Sequence, residues 1–523
     1  RKLAVSDPGE LDDLHKHSID KIKIKCSCGA EASRIPDIFN VWFDSGIAPW
    51  ASLGYPHQNK ELFEKMYPCD LVVESQDQIR GWFDSLMFTS TGSFKKNSYK
   101  AVGLMGWVLD EKGIKMSKSL GNVIWAQDGL RDLGADAIRL YYCWEVAPWE
   151  VQKFSVRICE EVKRQLNILW NLHEFYKTHC NKAPNKENID NIEDKWLLSR
   201  MNTVTRDYTN HLEKFEFHLA GRTIMNFIVN DFSRWYVKLV RNRLGEPAVS
   251  KVFQYCLEKS IKLLAPVAPF ITESIYLDSF AKQKSIHLED FPKPEKKHIN
   301  EKLEEQMQTI MNIIEASNSL RLDKKIRLKY PLQKLTVNGN KEIIKSVKDF
   351  LPLVKLMANV KSVETNNYAS SYSVKLNFKV AGKKFGKDVK QLAQLVAKAD
   401  ANKLKKGETK LGKFKVIAED LIFTSQYTGD GRQFSGGFIE LDTKVSHTLK
   451  KEWLLKEITR AVQSARKDLG LKINDKIIIY LPDDLKQYGK YFTNIKCSIF
   501  TGKEKTFSFE FEGQTYQIGV EKL

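Results

Sequence analysis

The string Lys115-Met116-Ser117-Lys118-Ser119 sets two ammonium groups three positions apart on a segment bracketed by glycines. It is entered through Asp110-Glu-Lys-Gly113 and left through Leu120-Gly121-Asn122. Glycine frees a loop to move and lets backbone approach a ligand closely. Such a loop can close over a triphosphate and place lysine charge where negative charge builds during displacement of pyrophosphate. A solvated Lys/Ser turn has the same composition, but a specified five-letter string arises by chance only about once in millions of windows at average residue usage. The string also follows a strand-like run and precedes a helix-like one, as a phosphate-handling loop should.

A second constellation is Glu74-Ser-Gln-Asp-Gln78-Ile-Arg80-Gly81-Trp82-Phe83. Glu74 ends an apolar strand-like run, and Ser75 with Gln78 three residues on has the form of a capping box, which predicts a helix starting at once. Ligands bind at the carboxyl ends of strands in open α/β sheets. There Glu74 could hold an ammonium or a ribose hydroxyl, Gln78 a carboxylate or amide, and Trp82 could wall an apolar side-chain pocket. The same residues also describe a capped helix whose Trp packs in the core. Trp42, in Val41-Trp42-Phe43-Asp44-Ser45-Gly46, carries the same ambiguity.

The elements that must position these groups alternate. Runs at 70–74 and 101–105 interleave with helical patterns at 76–90 and 126–143, the signature of βαβ units and a parallel sheet. The expected fold class is α/β here. From about 151 the apolar period becomes 3.6, with Val162, Leu166, Leu169, Leu172 and Tyr176 on one face, and further amphipathic helices are predicted near 194–215, 217–243 and 249–264. Pro269 can start a last helix, and the Lys/Pro-rich stretch 291–297 reads as a linker. The expected domains are therefore 1–150, with 1–40 as a junction, an all-α bundle at 151–295, and an α+β region at 296–523. That last region pairs helical patterns at 300–319, 342–357 and 445–469 with strand-like runs at 413–423 and 476–481.

Five hundred and twenty-three residues suffice for several domains. With 42% hydrophobic and 28% charged residues and no apolar run near the roughly 18 needed to span a bilayer, composition excludes a helical membrane protein and global disorder. A net charge of +18 suits a polyanionic partner. Arg234, Lys238 and Arg241 fall on one helical face beside Trp235 and Tyr236, a pattern that fits phosphate contacts plus base stacking, and equally a solvated basic face beside core aromatics. The segment 381–415 holds eleven Lys against Asp388, Asp400 and Glu408, either a further RNA contact or soluble surface. Eight scattered cysteines form no disulfide framework and fit a reducing cytosol. Cys26-Ser-Cys28 is half of a zinc knuckle at most, since structural zinc takes four ligands and usually a wider C-x₂-C step; His15, His17 or upstream cysteines would have to complete it, and no metal is expected.

The KMSKS string, the DQxRGWF helix and the VWFDSG segment, in this order and spacing, resemble a class I aminoacyl-tRNA synthetase, most closely of the isoleucyl kind found in archaea and eukaryotes. The resemblance covers nearly the whole chain, strongly to about residue 300. It implies that Lys118, assisted by Lys115 within a loop including Met116, Ser117 and Ser119, stabilises the triphosphate of ATP. It places ATP near Gly106 and the aminoacyl-adenylate against Glu74, with Gln78, Trp82 and Trp42 shaping the amino-acid pocket. The bundle becomes an anticodon-binding domain, with Arg234, Trp235, Lys238 and Arg241 as tRNA contacts. ATP with Mg²⁺, isoleucine and its tRNA are the implied cofactors and partners, in a cytoplasmic monomer that binds neither DNA nor membrane.

The alternatives are a valyl or leucyl synthetase, or a non-catalytic tRNA-binding protein. The family's HxGH sequence occurs nowhere among the ten histidines, the chain opens on Arg1, and most of the editing domain expected upstream is missing. The expectation is a C-terminal portion carrying half an active site, unable alone to form adenylate. Pyrophosphate exchange above background by the 523-residue chain would refute that.

Overall fold

In a computed structural model, the chain is described except at residues 1–3, 7–12, 14, 39, 181–187, 369–370, 405–406, 427–429, 472–474, 493–494 and 503–504. It divides into two compact units. The first comprises 1–181, 203–233 and 253–294; the second comprises 182–202, 234–252 and 295–523.

The first unit opens with a small hairpin, Lys23–Lys25 against Glu31–Ser33, followed by the short helix Val41–Gly46. The strand Cys69–Ser75 then runs parallel to Tyr99–Met105, and the helix Trp82–Phe94 crosses between them, so the predicted βαβ unit is present. Gly46 lies against that helix so closely that a Cβ would come 2.8 Å from the Ser85 carbonyl oxygen, and Thr89 Oγ1 donates to the Gly46 carbonyl at 2.8 Å. Glycine is required there by packing.

Helices Ala126–Asp132 and Ala135–Tyr142 lead to the 24-residue helix Val156–His179, whose predicted apolar stripe is buried. Its Tyr176 stacks on Phe253 of the helix Pro247–Leu264 and on Phe280, which follows the helix Pro269–Ser279. Arg139 donates to the carbonyls of Val267 and Pro266 at 3.0 Å each, tying the end of the α/β region to the start of the last bundle helix.

One predicted helix is not a single α-helix. The span 217–243 breaks into an α-helix Phe217–Asn226, a π-helix Phe227–Tyr236, a short α-turn Val237–Leu239 and a 3-10 turn Arg241–Arg243. Phe227 and Phe232, five residues apart, are both fully buried, as is Tyr236, with Asp231 nearly so, and a widened turn is what keeps residues at that spacing on one face.

In the second unit, the helix Glu301–Asp323 packs beside a mixed four-stranded sheet in the order Arg432–Phe434, Gly437–Leu441, Leu332–Gly339, Val360–Asn367. The predicted helix 342–357 is two helices, Lys341–Asp349 and Leu351–Ala358, parted at Phe350 with Pro352 in the first turn of the second. Two further cores follow. One surrounds the strands Ser371–Leu376 and Leu421–Gln426. The other lies between the helix His447–Asp468 and a four-stranded sheet ordered Lys496–Ile499, Ile477–Leu481, Gln514–Lys522, Thr506–Phe511.

This unit also buries charge. Glu457, its side chain 5% exposed, accepts from Arg327 at 3.0 Å, Lys329 at 2.6 Å and the Tyr330 hydroxyl. Burial opposes its ionisation, but the Lys329 and Tyr330 hydrogen bonds outweigh that and hold the carboxyl below its ordinary value. Tyr330 stacks on Trp453 at 4.4 Å, and its phenol is pushed up to about 12 by burial and by the Glu457 charge. Arg321, also buried, donates to the carbonyls of Tyr330, Ala358 and Asn359.

Candidate active site

The parallel register puts Glu74 beside Leu104 and Ser75 beside Met105, so both strands of the first unit end level. The lysine loop leaves from this end. Directly after Met105, Gly106 donates to the Pro148 carbonyl at 2.8 Å, and a Cβ on it would stand 1.9 Å from the Glu150 carbonyl oxygen. Gly106 was expected at the ATP site; its missing side chain is accounted for by this close approach. Val108–Leu109 then pairs in parallel with Gln152–Lys153, and Lys115 returns to bridge Leu109.

Two side chains hold the loop. Asp110 accepts from the backbone N–H groups of Lys112 (3.0 Å) and Ile114 (2.7 Å) and from Asn122 Nδ2 (3.0 Å), and the Asn122 hydrogen bond is the main reason its carboxyl stays below the usual range. Asn122 Oδ1 in turn accepts from the Ser117 N–H at 3.0 Å, and its Nδ2 reaches the Lys115 carbonyl at 3.3 Å. Gly113 and Gly121, at φ 81° and 66°, make the turns on either side. The hydroxyls of Ser117 and Ser119 lie 3.2 Å apart, and Met116 is half-buried.

Both ammonium groups rest on indole rings. Lys115 Nζ is 5.3 Å from the Trp107 centroid and Lys118 Nζ 5.2 Å from that of Trp125. Both are exposed, and among the described residues neither pairs with a carboxylate. Trp107 and Trp125, which the loop motif does not single out, are thus the rings under the two lysines. They are two of the seven Trp, out of eleven in the chain, that fall in the first 150 residues.

The Glu74 segment departs from its expected cap. Ser75 Oγ makes no capping bond and is buried without a partner. Residues Gln76–Arg80 form a 3-10 turn instead, and the α-helix starts only at Trp82, whose N–H donates to Gln78 Oε1 at 3.0 Å. Gln78 is thus the cap, and its Nε2 is spent on Asp77 at 3.1 Å. Gly81, at φ −138° and ψ −107°, bends the chain between turn and helix. The carboxylate of Glu74 is exposed and, among the described residues, accepts only a long 3.4 Å bond from the Ser75 N–H. Trp82 is half-buried and its Nε1 donates to the Ser45 carbonyl at 3.0 Å, joining the two motif helices. Trp42, capped by Asn40, stays 43% exposed.

Residues 3–152 match the family model of class I tRNA synthetases (I, L, M and V), and residues 194–336 that of the anticodon-binding domain of tRNA ligases. Over residues 3–152 the chain belongs to the class I tRNA synthetases. It is similar to isoleucine–tRNA ligases of Pyrococcus abyssi (37% identity over 98% of this chain and 51% of the relative) and Methanocaldococcus jannaschii (35% over 90% and 46%). The chain spans about half the length of the curated relatives it matches. A leucyl-tRNA synthetase from Agrobacterium radiobacter, solved with tRNA, superposes at TM-score 0.44 and 21% identity over 53% of this chain and 36% of its own.

The residues expected at a tRNA face fall into two groups. Arg234, Lys238 and Arg241 are exposed and without acidic partners among the described residues. Partial desolvation, then the charge of Arg234, lowers the Lys238 ammonium below its ordinary value. Trp235 and Tyr236 are not available for stacking. Trp235 is 6% exposed, and the buried Tyr236 hydroxyl donates to Asp194 at 2.8 Å, so both rings face inward. Arg243, two residues on from Arg241, is consumed by Glu193, Asp194 and Glu246. In the lysine-rich stretch, Lys384, Lys413 and Lys415 pair with Asp420, Asp388 and Glu408, while Lys405 and Lys406 lie outside the described residues. Cys26 and Cys28 turn the N-terminal hairpin, where hydrogen bonding to Cys28 lowers the Cys26 thiol. His15 and His17 are both engaged by Asp13, and no group of three metal-binding side chains gathers among the described residues.

Proposed function

We propose that the chain supplies the pyrophosphate-side half of the active site and the tRNA-binding part of an isoleucine-specific tRNA ligase. ATP, carrying its Mg²⁺, would lie across the strand ends, and the isoleucine carboxylate would attack the α-phosphate in line. Lys118 and Lys115 neutralise the departing pyrophosphate, and Glu74 orients the adenylate. The observation that carries this reading is the pair of unpaired ammonium groups on a loop hydrogen-bonded by Asp110 and Asn122 and opening beside the strand ends. A cation already compensated by a carboxylate has little to offer a triphosphate; these two have no such partner among the described residues. The isoleucyl group then passes from the adenylate to a hydroxyl of the tRNA with release of AMP, and the tRNA's anticodon arm would meet Arg234, Lys238 and Arg241. The names of the relatives favour isoleucine; a cytoplasmic setting and action as a monomer belong to the same proposal.

The test uses the full-length enzyme. Lys118→Ala should slow isoleucine-dependent pyrophosphate exchange about 100-fold, the cost typical of one preorganised donor, while isoleucine affinity stays nearly intact. An unchanged activation rate would remove Lys118 from this role. Exchange supported better by valine or leucine than by isoleucine would overturn the specificity.

A further inference from the structure

The C-terminal module carries a hollow that amino-acid activation does not use. It lies between the first turns of the helix His447–Asp468 and the 3-10 segment Asp483–Tyr491, has a volume of about 460 Å³, and is lined by Lys451, Lys456, Lys490, Gln487 and Tyr491 around Leu455. That volume lies within the roughly 300 to 1,000 Å³ of small-ligand sites.

Three features make it an anion site with an aromatic wall. Lys451, Lys456 and Lys490 are exposed and form no ion pair among the described residues, whereas adjacent charges on the same helix are matched, Lys450 by Glu512 and Glu452 by Lys361. Glu452 is the acidic side chain in the lining, and Lys361 neutralises it. The helix begins here with no acidic residue in its first turn, so its positive end adds to the lysines. Tyr491 is 57% exposed, and Lys490 Nζ stands 5.3 Å from its ring centroid.

We propose that this hollow holds one unpaired nucleotide of the bound tRNA, its base stacked on Tyr491 and its flanking phosphates among Lys451, Lys456 and Lys490. The proposal rests on the tRNA-binding reading above. An exposed ring beside three spaced cations suits a flat base joined to phosphates, and an acidic peptide would leave the ring without a partner.

Binding of the 523-residue chain to two labelled probes, an isoleucine-accepting tRNA transcript and a single-stranded oligouridylate, tests it by fluorescence anisotropy. Tyr491→Ala should weaken both by about 5- to 100-fold, as loss of one stacked base does, and Tyr491→Phe should bind as the parent does. Replacing Lys451, Lys456 and Lys490 together with Gln should flatten the dependence of log affinity on log salt for the oligouridylate by about 2. If tRNA binding falls on replacing Arg234, Lys238 and Arg241 but neither probe responds to Tyr491→Ala, the nucleotide site is overturned and the tRNA reading stands. If the parent chain binds oligouridylate through Tyr491 but not the tRNA, the tRNA reading is overturned and with it the identity of the strand. Equal losses for Tyr491→Phe and Tyr491→Ala, or displacement of oligouridylate by polyglutamate at equal charge, would overturn the stacking site in favour of a plain basic surface.

Discussion

Lys329 in the second unit and Lys118 in the first each lie over an aromatic ring, at 5.5 Å and 5.2 Å. They differ in what else they touch. Lys329 is locked to the buried Glu457 at 2.6 Å, within a cluster that includes Arg327 and Tyr330. Lys118 has its ring but no carboxylate among the described residues: Glu111, the nearest in sequence, accepts from the Ser155 hydroxyl, and Asp110 is turned onto backbone N–H groups and Asn122. The same side chain therefore serves the fold where a carboxylate compensates it and stays open to an incoming anion where none does.

Removing the compensated partner should have the largest effect on stability. Glu457→Ala strands the Lys329 ammonium and the Tyr330 hydroxyl, and should cost about 3 kcal/mol in denaturant unfolding, whereas Lys118→Ala should stay within about 0.5 kcal/mol. A loss below about 1 kcal/mol for Glu457→Ala would erase the distinction. Because the folded carboxyl of Glu457 lies below its unfolded value, its contribution is complete above the unfolded value near 4.3 and disappears as pH falls through the folded one. The difference between parent and Glu457→Gln should accordingly shrink in acid.

The loop side of the comparison is sharpened by Asn122→Ala. That change frees the Ser117 and Lys115 backbone and should speed tryptic cleavage after Lys115 and Lys118 several-fold with the unfolding midpoint unmoved. Equal cleavage rates would mean that the loop is held elsewhere.

A smaller effect belongs to His173, fully buried in the bundle against Ser279 and Asp278, with Lys177 and Glu174 beside it. Burial, then the charge of Lys177, lowers its pKa against the pull of Asp278. The unfolded chain thus takes up the proton first, and stability falls as pH drops below about 6.5 and levels off beneath the folded value. His173→Gln should flatten that limb between pH 7 and 5.

Much of this was legible in the sequence because local rules and function agreed. The βαβ unit, the glycine-bracketed lysine string and the apolar stripe of the helix Val156–His179 follow from period and spacing alone. What escaped depended on neighbours remote in sequence or on competition for one hydrogen bond. Ser75 and Gln78 form a capping box on paper, yet Gln78 caps a helix that begins at Trp82. The basic residues at 234–241 share an α-helical face, yet burial of Phe227, Phe232, Trp235 and Tyr236 widens the turn to π and takes the rings away. Trp107 and Trp125 became partners of Lys115 and Lys118 only once the loop's path was drawn.

Gly106 gives that path a fixed pivot. The carbonyl of Glu150 occupies the place a methyl group would need, so the stem of the loop is clamped where the strand ends, and any swing over a substrate must be taken up between Asp110 and Asn122. A door hung from so rigid a post carries Lys115 and Lys118 together. An alanine at 106 would shift the post, displacing both lysines at once although it touches neither.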